Sequence, residues 1–261
     1  MTKTYGAPSS RCSRSGSPVA LRSGADVKEA KLDLRGKRVL VLGGSGVLGS
    51  LIARELIDRG AVVTIAARDN DKLNRVAGYL GGATTTVQFD LTVANDNSKV
   101  VEEAVSLMGG LDGIVNAAGV VAFGPLAELD DDALERVFLT DLIGPLQVIR
   151  AALPHLEGGF VVNLTGVVAE SPVAYLVTYS AAKAGLSAAS TALTRELRRT
   201  ETHILDVRPP HTETGLAGRA IAGDAPRMPE GLDPETVAAI VVQGLADGRR
   251  EIPASKFQTA D

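Results

Sequence analysis

From Arg38 onward, short apolar runs alternate with helical patterns. Val39-Leu40-Val41-Leu42 is a compact apolar run ending in a glycine-rich turn, as expected of a parallel strand buried on both faces. Leu48, Leu51, Ile52 and Leu56 then recur at helical spacing, and Gly60 supplies the stop. Further strands are predicted over residues 61–67, 87–91, 113–116, 160–164 and 204–207. Helices are predicted over 98–108, 131–153 and 178–199, and a last one opens at Asp233, with Pro234 in its first turn. Such strict alternation predicts an α/β fold, a doubly wound parallel sheet of the Rossmann type with helices on both faces. No internal repeat interrupts it, and residues 34–261 read as a single domain.

Residues 1–33 follow a different pattern. Serines, Gly16 and Gly24 dominate, and Arg11, Arg14 and Arg22 precede the first acidic residue, Asp26. Arg- and Ser-rich, acid-poor segments are found in targeting peptides, but no apolar signal core is present here. A flexible or disordered extension is the favoured reading. Composition adds exclusions. A net charge of -4 gives no nucleic-acid footprint. No apolar run approaches the ~20 residues that span a bilayer. The single Cys12 leaves no intrachain disulfide, as in a reducing, cytoplasmic setting. His155 and His203 read as helix-end or loop residues without ligand-spaced partners, so no metal site is expected.

The first candidate site is the turn Gly43-Gly44-Ser45-Gly46-Val47-Leu48-Gly49, between the first strand and the first helix. Glycines let the backbone approach a pyrophosphate, and the helix N-terminus offers unpaired N–H groups. After the second strand, an NAD site usually places a carboxylate for the ribose hydroxyls. Ala67 stands there, followed by Arg68, whose guanidinium suits a 2′-phosphate. NADP is favoured and NAD remains open, with Asp69 and Asp71 close by.

The second candidate is Tyr179-Ser180-Ala181-Ala182-Lys183, which sets a phenol and an ammonium four residues apart on one helical face. A neighbouring cation stabilises phenolate, so such a tyrosine can exchange a proton with a carbonyl oxygen as hydride is transferred. With the glycine turn, Asp90-Leu91 after the third strand and Asn116-Ala117-Ala118-Gly119 after the fourth, the chain resembles the short-chain dehydrogenase/reductase family over residues 36–253. The resemblance implies that Asp90 contacts adenine and that Asn116 lines the cofactor groove. It also implies that Thr214, in Pro209-Pro210-His211-Thr212-Glu213-Thr214, bonds the nicotinamide amide. It further implies a homotetramer or homodimer built on the two long helices.

The chain departs from the family pattern in two places. The family's serine thirteen residues before the tyrosine falls on Gly166. Either Thr165 takes over its role through a shift in the following loop, or Thr165 is a strand residue pointing elsewhere. The family's catalytic Asn falls on Asp141, where Pro145, lacking an N–H, frees the Asp141 carbonyl for a relay water. A carboxylate near Lys183 also opposes the lowering of the tyrosine pKa.

Hydride transfer between NADP(H) and a small carbonyl or secondary alcohol is the first reading, with Tyr179 as general acid/base, Lys183 lowering its pKa and holding ribose, and Thr165 bonding the carbonyl. A catalytically weak, cofactor-binding sensor or scaffold is the alternative. A sugar-nucleotide epimerase is disfavoured, since only 47 residues follow Thr214. Residues 215–231 are expected to form a lid over the substrate.

Overall fold

The computed structural model describes residues 31–81 and 83–257. The strands are β1 (Arg38–Leu42), β2 (Val62–Ala67), β3 (Thr85–Gln88), β4 (Gly113–Asn116), β5 (Phe160–Leu164), β6 (His203–Val207) and β7 (Glu251–Ile252). The helices are α1 (Val47–Asp58), α2 (Asn70–Leu80), α3 (Ala94–Met108), α4 (Asp131–Phe138), α5 (Gly144–Ala152), α6 (Val177–Glu196) and α7 (Pro234–Ala246). All strand pairs are parallel, in the order β3-β2-β1-β4-β5-β6-β7.

The apolar run of β1 is continuous because both of its faces are covered. Val39 and Val41 pack with Ile52 and Leu56 of α1 and Val237 and Val241 of α7. Leu40 and Leu42 point the other way, into Val100, Val101 and Ala104 of α3 and Val148 and Ile149 of α5. Each such side chain contributes about 1.5–3 kcal/mol on full burial. The chain leaves β3 at one edge and returns as β4 beside β1, so the carboxyl ends of β1 and β4 flank the point where strand order reverses, the usual place for a ligand crevice in such sheets.

Most predicted elements recur, with differences that have local causes. β3 lies two residues earlier than expected, because Asp90 ends the run by accepting from both the Thr92 amide and hydroxyl at 2.9 Å. The threonines that precede it pair with β2, where the Thr64 and Thr85 hydroxyls meet at 2.6 Å. α2 escaped the sequence reading because Leu73 is its one buried residue, although Asp69 caps it by accepting from Lys72 N–H at 3.0 Å. His203 is not a loop residue: it opens β6, and its Nε2 meets Arg249 O at 2.8 Å. Asp233 caps α7 as expected, accepting from the Thr236 amide at 2.9 Å.

The long helix expected over 131–153 is broken in the middle. Residues Leu139–Ile143 form a π turn in which Gly144 N–H donates to Leu139 O, five residues back. Pro145, with no N–H to give, sits at the start of α5 and favours this wider turn. Asp131–His155 as a whole is long and apolar enough to cross a bilayer by length and composition. This stretch departs from the expectation of no run of that length, because its apolar residues are spread among polar ones. Val137, Val148, Ile149 and Ala152 of this stretch are buried in the fold.

The extension read over residues 1–33 lies outside the described residues but for its last three. Of those, Leu32 packs against the core and donates its N–H to Ala246 O at 2.9 Å.

Candidate active site

The glycine turn closes β1 against the end of β4. Gly43 has φ +73°, and a Cβ there would lie 2.7 Å from both the Cα and the N of Ala118. Only glycine allows this approach. The Gly43 and Gly44 amides both donate to Ala66 O, while Ala117 N–H donates to Leu42 O at 3.0 Å. Gly46 is the N-cap of α1 and supplies no side-chain cap, so the first amides of that helix are left without one at the mouth of the crevice. Ser45 and Leu48 are half-buried around the turn and Val47 is exposed. Asn116 is buried at the end of β4, with its Oδ1 unpartnered. An uncapped helix start, an orphaned buried amide oxygen and the exposed Arg68 side chain at the end of β2 fit a phosphate-bearing dinucleotide. Asp90 is half-buried beside them with one carboxylate oxygen engaged by Thr92. Leu91 is buried, and its carbonyl accepts from Asn97 Nδ2 at 3.0 Å.

Tyr179 and Lys183 lie one turn apart on α6, with the Lys183 Nζ 5.6 Å from the Tyr179 ring centroid. Nζ is held between the end of β5 and the π turn. It donates to Leu164 O at the end of β5 (3.1 Å) and forms an ion pair with Asp141 Oδ1 (3.0 Å). Lys183 is the charge partner of this buried oxygen. The other oxygen, Oδ2, accepts from Val120 N–H at 3.1 Å, just after the Asn116-Ala117-Ala118-Gly119 segment. Asp141 is fully buried, its side chain brought inward from the π turn.

The charges of this cluster act on one another at low dielectric. Burial pushes the Asp141 carboxyl above its usual range, against the pull of Lys183. Burial works to lower the Lys183 ammonium, but Asp141 and Tyr179 together hold it above its ordinary value. The half-buried Tyr179 phenol is pushed up by desolvation. Lys183 pulls it down by less than desolvation raises it, and Asp141 adds a smaller push upward, so the lowering expected from Lys183 does not prevail.

Thr165 does not turn toward Tyr179. Its hydroxyl donates to Asp206 Oδ1 on β6 at 2.6 Å, and it is fully buried. Thr165 stands one residue beyond the end of β5, with its hydroxyl committed to β6. Asp206 Oδ2 accepts from Ser187 Oγ (2.6 Å) and Arg208 Nη1 (3.0 Å), and Arg208 reaches on to Glu251 and Glu170. Sequence reasoning missed this network, because its members are scattered over loop, strand and helix and none carries a spacing motif. It also missed Asn163, whose Nδ2 donates to Ser190 Oγ at 2.9 Å while its Oδ1 faces Asn116 Nδ2 at 3.5 Å.

The segment after β6 folds back over the site. Val167 N–H donates to Pro209 O at 2.9 Å, and the Thr212 hydroxyl donates to Pro210 O at 3.0 Å. Thr214 Oγ1 accepts from Leu216 N–H at 3.4 Å, and His211 Nε2 stands 3.3 Å from Glu213 Oε1. Ile221 N–H donates to Val121 O (2.8 Å) and Phe123 N–H donates to Ala222 O (2.9 Å), which stitches the expected lid to the chain beyond β4. Ile221, Ala222 and Tyr179 pack around Val120, Ala122, Val137 and Ala182. No cluster of three potential metal ligands occurs among the described residues.

Residues 37–224 match the short chain dehydrogenase family. An uncharacterised oxidoreductase of Methylorubrum extorquens is 31% identical, the match covering 83% of this chain and 93% of the relative. A ketoacyl reductase of a Nostoc species is 29% identical, over 84% of this chain and 78% of that one. The solved structure of a short chain dehydrogenase from Burkholderia cenocepacia in complex with NADP is 26% identical, with a TM-score of 0.76, covering 86% of this chain and 98% of the other. The fold, the glycine turn between β1 and β4 and the match over most of the length agree: this chain belongs to the short chain dehydrogenase family and is an oxidoreductase.

Proposed function

We propose that the chain transfers hydride between NADP(H) and a carbonyl or secondary alcohol compound, with Tyr179 as general acid/base. The observation that carries this reading is the fixing of Lys183 Nζ by Leu164 O and Asp141 between the end of β5 and the π turn, with Tyr179 one helical turn before it. The bound nicotinamide supplies or accepts the hydride. Tyr179 gives its phenolic proton to the carbonyl oxygen in reduction and takes it back in oxidation. Lys183 keeps donor capacity beyond its two partners for a ribose hydroxyl. The glycine turn and the α1 amides take the pyrophosphate, Asp90 the adenine and Thr214 the nicotinamide amide. Pro209 and Thr212 complete that end of the groove. Arg68 is exposed next to the ribose end with no acidic side chain at Ala67, which supports NADP over NAD.

A phenol pushed upward stays protonated to higher pH, so reduction proceeds at neutral pH and falls only as pH rises through the raised value. Oxidation needs the phenolate and strengthens in alkaline solution. Tyr179→Phe is expected to abolish turnover, by at least about 1,000-fold, while NADPH affinity followed by nicotinamide fluorescence stays within a few-fold. Undiminished turnover would sink the assignment. In Arg68→Ala, NADPH affinity should fall at least about tenfold with NADH affinity unchanged.

The same cluster favours a second reading. Asp141 offsets Lys183, and Gly166 gives the carbonyl no hydroxyl, which suits a weakly catalytic, cofactor-binding sensor. NADPH binding without turnover of any carbonyl panel would select it. For the partner we favour a second copy of the chain, seated on the groove of about 410 Å³ between Pro172, Val173, Val177, Ala181 and Ala184 on the outer face of α6. Sedimentation of the purified protein as a monomer would exclude this.

A further inference from the structure

Gly166 follows β5 at φ +79° and ψ 163°, a conformation that L side chains rarely adopt. A Cβ built on it would meet only Pro209 O, at 3.8 Å, so the space before it is open. The donors around that space are committed. Gly166 N–H donates to Val207 O at 3.2 Å and Val167 N–H to Pro209 O at 2.9 Å. The Thr165 hydroxyl is held by Asp206 at 2.6 Å. Tyr179 is left to serve a reacting carbonyl oxygen without help from this turn. Loss of one preorganised donor to a developing oxyanion typically costs about 100- to 1,000-fold in rate.

A substrate can make up that loss internally. A second carbonyl on the adjacent carbon withdraws electron density and stabilises the developing alkoxide through bonds, with no protein donor required. The surroundings of Tyr179 narrow the class further, since Tyr179, Ile221 and Ala222 pack, partly buried, against the same apolar cluster of Val120, Ala122, Val137 and Ala182.

We propose that this chain is a reductase of apolar vicinal dicarbonyl compounds, with the substrate's second carbonyl standing over Gly166, where no side chain polarises the first. The proposal rests on the hydride-transfer reading above. The π bond of the reacting carbonyl opens as hydride from NADPH forms the new C–H bond and brings both electrons. The oxygen takes the Tyr179 phenolic proton, the tyrosinate is reprotonated from solvent, and the nicotinamide is left oxidised by two electrons. The product is an α-hydroxyketone.

The test compares matched pairs, benzil with deoxybenzoin and diacetyl with butanone, on the full-length protein with NADPH. The kcat/KM ratio of diketone to monoketone should exceed the ratio of their rates with borohydride in water by at least about 100-fold. Gly166→Ser is compared with Gly166→Ala, which carries the same backbone strain without the hydroxyl. Serine over alanine should raise monoketone turnover at least about tenfold more than it raises diketone turnover. Independently of turnover, the infrared carbonyl stretch of isotope-labelled deoxybenzoin, bound with oxidised cofactor, should move to lower frequency in the serine variant. In the unmodified protein that stretch should report a single donor, which keeps the proposal testable if the serine variant fails to fold. A diketone preference no larger than with borohydride, a two-donor stretch in the unmodified protein, or equal gains on both substrates would overturn the proposal and leave hydride transfer standing. Binding of NADPH with reduction of neither member of either pair would overturn hydride transfer itself, and this proposal with it.

Discussion

The ends of β1 and β4 and the ends of β5 and β6 border the proposed site but are built in opposite ways. At β1 and β4 the work is done by the backbone: Gly43 touches Ala118, amides donate to Ala66 O and Leu42 O, and the start of α1 stays uncapped. At β5 and β6 it is done by charged and hydroxyl side chains that engage one another, Asp141 with Lys183 and Asp206 with Thr165, Ser187 and Arg208. The first arrangement tolerates almost no added atom. The second tolerates replacement of a member, at the cost of retuning the rest.

The sharpest way to break that contrast is Gly43→Val. The substitution forces a β-branched residue to φ +73° and drives its Cβ to 2.7 Å from Ala118 backbone atoms. The expected result is a loss of NADPH affinity of at least about 100-fold and of about 3 kcal/mol in stability. Nicotinamide fluorescence titration and urea unfolding measure the two. Affinity within threefold of the parent would mean that the turn does not carry the cofactor.

Asp141→Asn is expected to act next most strongly. Removing the carboxylate leaves the Lys183 ammonium buried without its counter-charge, at a cost of about 3 kcal/mol. The chemistry should change in the other direction. Desolvation raises the Tyr179 phenol and Asp141 adds to the rise, so in the variant the phenol is raised less. The pH profile of alcohol oxidation should shift to lower pH. A fall in stability with an unmoved profile would reduce Asp141 to a structural residue and weaken the case for Tyr179 as the titrating group.

The same contrast explains what could be read from the chain. Strand β1 and the turn after it were legible because their demands are local: four apolar residues in a row and glycines where a backbone must bend. Tyr179 and Lys183 were legible because one helical turn separates them. The network around Thr165 was not, since Asp206 and the Ser187 that also bonds it come from elements more than twenty residues away from Thr165 and meet it only once β6 lies beside β5. The π turn at 139–143 was half legible. Pro145 announced a lost hydrogen bond, but the inward turn of the Asp141 side chain depends on Val120 and Lys183 arriving from other elements. The positive φ of Gly166 was hidden too, because a glycine does not declare which conformation it adopts.

The smallest expected effect sharpens the contrast from outside the site. Asp112, just before β4, accepts from the Arg38 amide (2.9 Å), Nε (2.7 Å) and Nη2 (3.0 Å) at the start of β1. It therefore joins the same two strands at the ends opposite the crevice. The pair is partly exposed and screened by solvent, so Asp112→Asn should cost only about 1 kcal/mol by urea unfolding at neutral pH. The hydrogen bonds from Arg38 hold the Asp112 carboxyl below its ordinary value of 3.8. Its contribution is therefore present above that value and lost as pH falls through the lowered one, so parent and variant should converge in acid. NADPH affinity should stay unchanged, because the spacing of β1 and β4 at the crevice is set by Gly43 and Ala118 rather than by this ion pair. A parallel loss of affinity would mean that the two ends of the strand pair are mechanically coupled, and that the backbone cradle depends on side-chain charge after all.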